Sequence, residues 1–302
     1  MVITSLEEVE KMSEILYNPT SKKEVKEEYE KLSLLYESTP DSYIELFEYF
    51  IKTKKDICQF WILQMLINLS NKHYNIYSID NKKNFRFALI NLVNLYLSQN
   101  VIKTHVSNKY CQLFINWIKF DFPENCNSSF HDILGLIYSE NNENARINIL
   151  CIFNDKIDLL SQILITFDDD MIKFRHTQGD FEITRSNIIK DYMRDNTIKD
   201  IVDVLNQILE NWNSIVNINR KLISNSIKVL SQLIDWNNLE LFHNSINIML
   251  KFINVSEYQS DALSFFDSII NKGITNNKKK IRNGKRSEIK NNKTIKYYNN
   301  YL

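Results

Sequence analysis

The chain has 302 residues, 44% of them apolar, and a formal net charge of zero. Its 4 glycines and 3 prolines are too few for the tight turns of a sheet-rich or dinucleotide-binding fold, which leaves helices joined by short polar loops. The charge is uneven: residues 274–302 hold nine Lys/Arg and one Glu, leaving 28 basic and 36 acidic residues before them. A mildly acidic folded part argues against sequence-independent nucleic-acid binding over its whole surface, but leaves room for a local basic patch.

Apolar spacing predicts helices over 5–16 and 22–37, broken at Asn18-Pro19. In the second, Val25, Tyr29, Leu32, Leu35 and Tyr36 make the apolar face. A short helix follows Pro40 and runs to Lys52. Its expected buried side is Ile44, Phe47, Phe50 and Ile51, and its polar side is Asp41, Glu45, Glu48 and Lys52. Residues 56–72 are apolar almost all round, as in a helix sandwiched between neighbours. In helix 82–98, Phe85, Ala88, Leu89, Leu92 and Tyr96 oppose Asn84, Asn91 and Asn94. Residues 102–120 repeat the pattern up to Pro123. Shorter helices are predicted over 128–138, 143–152 and 156–166. Asp168, Asp169 and Asp170 are expected to open a solvated loop through Gly179.

Residues 181–212 predict a helix, a hinge near Asn196 and a second helix. Thr197 followed by Asp200 has the look of an N-cap with an acidic first turn. Beyond it Ile198, Ile201, Val202, Leu205, Ile208, Leu209 and Trp212 form one apolar stripe, so Trp212 is expected in the core with Trp61 and Trp117. Before it stand Arg185, Lys190 and Arg194 among Asp191 and Asp195. Two readings stay open for these cations: internal ion pairs at helical spacing, or contacts to phosphates. Helices over 217–235, 238–253 and 256–271 close the array, the last ending at Lys272-Gly273 by its C-cap signature.

Helix pairs about 40 residues long have the period of HEAT and armadillo repeats. The expected fold is all-α, a right-handed HEAT-repeat superhelix (α-solenoid) over residues 1–273. A basic segment, 274–302, is expected to lie outside it without a fold of its own.

Little in the chain points to chemistry. His73, His105, His131, His176 and His243 are not at ligand spacing, and no phosphate loop, nucleophile elbow or HExxH occurs. No catalytic residue, metal site or cofactor is therefore expected. Cys58, Cys111, Cys126 and Cys151 are far apart and are expected as reduced thiols of an intracellular protein. With no signal-like start and no membrane-length apolar run, no membrane contact is expected, and without a catalytic or phosphate-binding motif no small-molecule substrate is expected either.

Residues 184–212, TRSNIIKDYMRDNTIKDIVDVLNQILENW, resemble a segment of the exportin-T family of tRNA nuclear export receptors, in the importin-β/karyopherin superfamily. Residues 29–74, 235–250 (DWNNLELFHNSINIML) and 261–274 (DALSFFDSIINKGI) resemble further stretches of its N-terminal part, in the same order. The resemblance implies a receptor that binds tRNA and the GTP form of Ran together, meets nuclear pore proteins, and shuttles between nucleus and cytoplasm. It also implies that Asp41, Glu45, Glu48, Lys52, Asn91 and Asn94 face Ran, and that Arg185, Lys190 and Arg194 face tRNA. The rival expectation is a HEAT-type scaffold or adaptor independent of Ran and RNA.

Overall fold

A computed structural model describes the backbone of residues 5–98, 103–138, 154–173, 179–214 and 220–284, and the side chains of these other than 93–98, 136–138, 154–156, 214 and 274–284. Among the described residues there are thirteen α-helices and no strand. They are α1 Leu6–Tyr17, α2 Lys23–Ser38, α3 Ser42–Lys52, α4 Asp56–His73, α5 Ile79–Ser98, α6 Thr104–Asp121 and α7 Ser129–Tyr138. Then come α8 Asn154–Phe167, α9 Asp180–Asn196, α10 Ile198–Glu210, α11 Arg220–Ile234, α12 His243–Phe252 and α13 Gln259–Gly284. The helix expected over 143–152, with Cys151, and His176 lie outside the described residues. No described helix is long and apolar enough to cross a membrane.

The helices fall into two compact units, Met1–Val229 and Leu230–Leu302. In the first, α4 packs against α1, α2, α3 and α6, and α6 packs in turn against α8 and α9. The neighbours on several sides explain why α4 carries apolar residues nearly all round: Cys58, Trp61, Leu63, Met65, Leu66 and Leu69 are all buried. In addition α3 packs on α5, α7 packs on α8, and His131 of α7 meets Asp200 of α10 at 3.2 Å.

Half-buried amides and charges stitch successive helices together. Asn68 donates to Glu37 at 2.6 Å, Gln64 to Asn68 at 2.8 Å, and Lys109 to Gln64 at 2.9 Å, which joins α2, α4 and α6. Ser107 donates to Gln162 at 2.7 Å, while Gln162 and Asn225 both donate to Asp158, at 2.5 and 2.8 Å, joining α6, α8 and α11. Part of the chain's asparagine thus sits between helices, where each amide needs its partner in register.

The end of α6 holds a polar knot around a buried carboxylate. Asp121 is 2% exposed. Its carboxylate accepts the Tyr74 hydroxyl at 2.5 Å, the Trp117 indole N–H at 3.1 Å and the Asn125 amide at 3.2 Å. Burial pushes the Tyr74 phenol far above its ordinary range, with the bond to Asp121 adding to the shift.

Several expectations change on folding. The three aspartates do not open a solvated loop. Asp168–Ile172 continue α8 as a wide helical turn, because Phe167 and Met171 are buried and draw the segment inward. Asp168 is buried with them and pairs with Lys173 at 3.0 Å. The hinge falls where expected, at Thr197, but its hydroxyl is buried without a partner and caps nothing. Trp212 is half-buried rather than core, since α10 ends at Glu210 and a tight turn carries Trp212 off the apolar stripe. Cys58, Cys111 and Cys126 are buried free thiols, and burial pushes Cys58 up to about 11.

In the second unit Leu230, Ile234, Phe242, Met249, Phe252 and Phe265 are buried among α12, α13 and the end of α11. Here α13 runs on through Gly273, which has no positive φ and so no C-cap geometry. Lys272 serves a different helix: its ammonium donates to the carbonyls of Ile234 and Asn237 and caps α11.

Asp121→Ala strands the buried Tyr74 hydroxyl, while the Trp117 indole keeps its second bond, to that hydroxyl at 3.0 Å. It should cost about 1–3 kcal/mol in urea unfolding, the penalty for one orphaned buried group. Trp212→Ala should cost on the order of 1 kcal/mol, as for a half-buried side chain.

Candidate partner-binding faces

The α3 helix is turned from the orientation its sequence suggests. Tyr43, Leu46, Phe47 and Phe50 are buried, while Ile44 and Ile51 are nearly half exposed. Two apolar stripes overlap in SYIELFEYFIK, and the aromatic one faces inward. The reason is packing: Phe47 and Tyr43 meet Phe85 of α5 at 5.2 and 5.6 Å between ring centres, and Tyr43 meets Tyr77 at 5.4 Å. In α2 the same happens, with Tyr36 buried and Val25 and Leu35 outside.

The outward side of α3 therefore mixes Ile44 and Ile51 with Glu48 and Lys52, which pair at 3.2 Å. Asp41 stands just before the helix and accepts the Asn81 amide at 3.5 Å. Glu45 is half-buried, with one carboxylate oxygen buried and unpartnered, and burial pushes its carboxyl above the usual range. Next to it, α5 buries Phe85, Leu89 and Leu92 and turns Ile79, Lys83 and Phe87 outward, spaced four apart on one ridge with half-buried Asn91. Ile79 is 74% and Phe87 70% exposed. Asn94 falls outside the described side chains. Sequence reasoning missed this apolar ridge; its signal was Phe87 opposing the buried stripe Phe85-Leu89-Leu92.

The three cations of α9 do not form one patch. Arg185 points into the fold and is a docking residue. It donates to the Lys119 carbonyl at 2.7 Å, to Glu124 at 2.5 Å, and to the Phe122 carbonyl. These are the last carbonyls of α6 and its following loop, so a guanidinium fork closes a helix end. Tyr192, two turns on, meets the Phe122 ring edge-on at 5.2 Å. Arg194 is exposed and pairs with Asp191 at 2.8 Å, the spacing the ion-pair reading expects. Lys190 is half-buried. Among the described residues no group of three or more His, Cys, Asp or Glu is placed to hold a metal ion. What these faces can do chemically is bind: α3 and α5 offer aliphatic and aromatic anchors ringed by charge, the usual make-up of a protein contact.

Comparison with known proteins gives a consistent result. A family model described as Exportin 1-like protein matches residues 103–266. The chain is 24% identical over 271 residues to Exportin-T of Dictyostelium discoideum, covering 89% of this chain and 23% of that protein. It is 23% identical over 222 residues to Exportin-T of Homo sapiens, covering 72% and 21%. With Exportin-T of Debaryomyces hansenii the identity is 24% over 220 residues, covering 71% and 20%. The chain spans under a quarter of the length of these curated relatives.

The docking of α9 sets a pH test. The bond from Arg185 holds the Glu124 carboxyl below its ordinary value of 4.5. A carboxyl lowered on folding stabilises the fold above its unfolded pKa and loses that contribution as pH falls through its folded pKa. Melting curves from about pH 5.5 down to about pH 3 should show the chain losing stability faster than Glu124→Gln, with the two converging at the acid end.

Proposed function

The chain belongs to the exportin 1-like family, helical-repeat solenoids of the HEAT/armadillo type, and we propose that it works in a nuclear transport receptor taking up tRNA together with Ran in its GTP form. The observation that carries this reading is the similarity to Exportin-T proteins of distant organisms over most of this chain. Receptors, not enzymes, make up such a family.

In this reading Ran docks on the outward sides of α3 and α5. Asp41, Glu45, Glu48, Lys52, Asn91 and Asn94 supply the polar contacts, and Ile44, Ile51, Ile79 and Phe87 the apolar anchors. Affinity in protein interfaces comes mostly from a few buried anchors, with the polar ring setting register. Lys190 and Arg194, at the edge of α9, contribute phosphate contacts to tRNA, while Arg185 holds α9 in place for them. Nuclear pore proteins are further partners, and the receptor shuttles between nucleus and cytoplasm. Most of a whole relative lies outside the matched region, so the chain alone should hold tRNA weakly.

A second reading has one observation in its favour. The exposed Arg194 is paired with Asp191, which suits a helical scaffold that joins proteins without Ran or RNA.

A pulldown with Ran loaded with GTP or GDP, with and without tRNA, separates the two. We expect GTP-selective capture, weakened by about tenfold in Phe87→Ser, the scale of losing one interface anchor. Glu45→Lys with Glu48→Lys should also weaken it while leaving helicity intact. Equal capture of both nucleotide forms favours the scaffold.

A titration of tRNA at several salt concentrations tests the cations. Replacing Lys190 and Arg194 by Gln should weaken all tRNAs alike. It should also flatten the salt dependence by roughly one unit of slope for each phosphate that is no longer neutralised. Unchanged binding would mean the pairs within α9 are these cations' whole role.

A further inference from the structure

The inward side of α9 is committed to the end of α6 through Arg185 and Tyr192. Its outward side is therefore held in place and open. That side carries Asp180, Phe181, Thr184, Ile188, Asp191 and Asp195, all exposed. Phe181 is 81% exposed, and Ile188, seven residues on and about 10 Å along the helix, is 43% exposed. Two apolar side chains two turns apart on one ridge offer a partner helix two anchor points.

The charge around them is mostly negative. Three carboxylates stand against a single exposed cation, Arg194, which is paired with Asp191. Asp195 lies in the last turn of α9, where the helix dipole is negative and disfavours a second negative charge. Asp180, in the first turn, is about 22 Å away along the axis. An acid placed against the dipole, beside an uncovered apolar ridge, is stabilised when a partner brings a cation. The same field repels phosphates, so the ridge does not suit RNA.

We propose that the outward ridge of α9 is a docking site for a basic amphipathic segment of another protein. Its apolar side chains lie over Phe181 and Ile188, and its Lys or Arg side chains reach Asp195 at one end and Asp180 at the other. Charge complementarity selects the occupant, and the two-turn apolar spacing selects a helix lying along α9. The site is separate from the α3 and α5 faces, and its test needs neither Ran nor tRNA.

The test uses the full chain and fluorescence anisotropy with three labelled synthetic peptides: an amphipathic Lys/Leu helix, the same pattern with Glu for Lys, and an oligolysine. The Lys/Leu helix should bind in a salt-sensitive way and the Glu/Leu helix should not. Phe181→Ser and Asp195→Asn should each weaken binding about tenfold, as for loss of an interface anchor. Both positions are exposed, so these variants keep the fold, which circular dichroism checks. Oligolysine binding as tightly as the Lys/Leu helix, or binding untouched by Phe181→Ser, overturns the proposal, because the attraction is then diffuse. Tighter binding after removal of residues 285–302 also overturns it, because the chain's own basic segment is then the occupant. So does displacement of the peptide by an RNA duplex whose binding depends on Arg194.

Discussion

A single buried carboxylate organises the middle of the first unit. Asp121 is out of water, and a charge in that position persists only when its oxygens are fully engaged. Tyr74, Trp117 and Asn125 engage them, tying the residue just after α4 to the last turns of α6 and to the loop beyond. The backbone carbonyl of the same residue accepts the N–H groups of Asn125 and Cys126 and turns the chain there. That turn presents the Lys119 and Phe122 carbonyls, the Phe122 ring and Glu124 to α9. The position of α9, and with it every outward group on it, depends on how α6 ends.

Polar stitching does a different task from the apolar core. Burying leucines and aromatics between helices stabilises the array but tolerates sliding. The bonds from Glu37 through Asn68 and Gln64 to Lys109, and from Ser107 through Gln162 to Asp158 and Asn225, tolerate little. A shift of one helix turn would leave amides unpaired in a half-buried seam, which costs more than the bonds contribute when made. We read these seams as the elements that give a repeat array with no strict repeat sequence a definite register.

Binding, rather than chemistry, is what the exposed groups suit. The outward ridges of α3, α5 and α9 share one composition, aliphatic or aromatic residues seven or eight positions apart with charges between them. They differ in sign. On α5 a lysine stands between Ile79 and Phe87, whereas on α9 the acids dominate around Phe181 and Ile188. Two outward ridges of one fold thus carry charge of opposite sign.

The amino-acid sequence by itself determined the order of the elements. Scarce glycine and proline, helical spacing of apolar residues, and breaks at Pro19, Pro40 and Pro123 marked each described helix. The hinge at Thr197 and the all-round apolar character of α4 were legible for the same reason: local periodicity is a property of the chain alone. It also carried the family, through 184–212 and the stretches in order around it. What it left open was rotation about each helix axis. Where two stripes overlap, as in α2 and α3, only the neighbours choose, and the aromatic cluster of Tyr43, Phe47, Tyr77 and Phe85 turned Ile44 and Ile51 out. Charges behaved likewise. Arg185 read as a surface cation until the end of α6 supplied three acceptors for it, and Asp168 read as solvated until Phe167 and Met171 carried it inward. Which polar group serves the fold and which faces a partner is decided by contacts distant in sequence, and those exist only once the helices have packed.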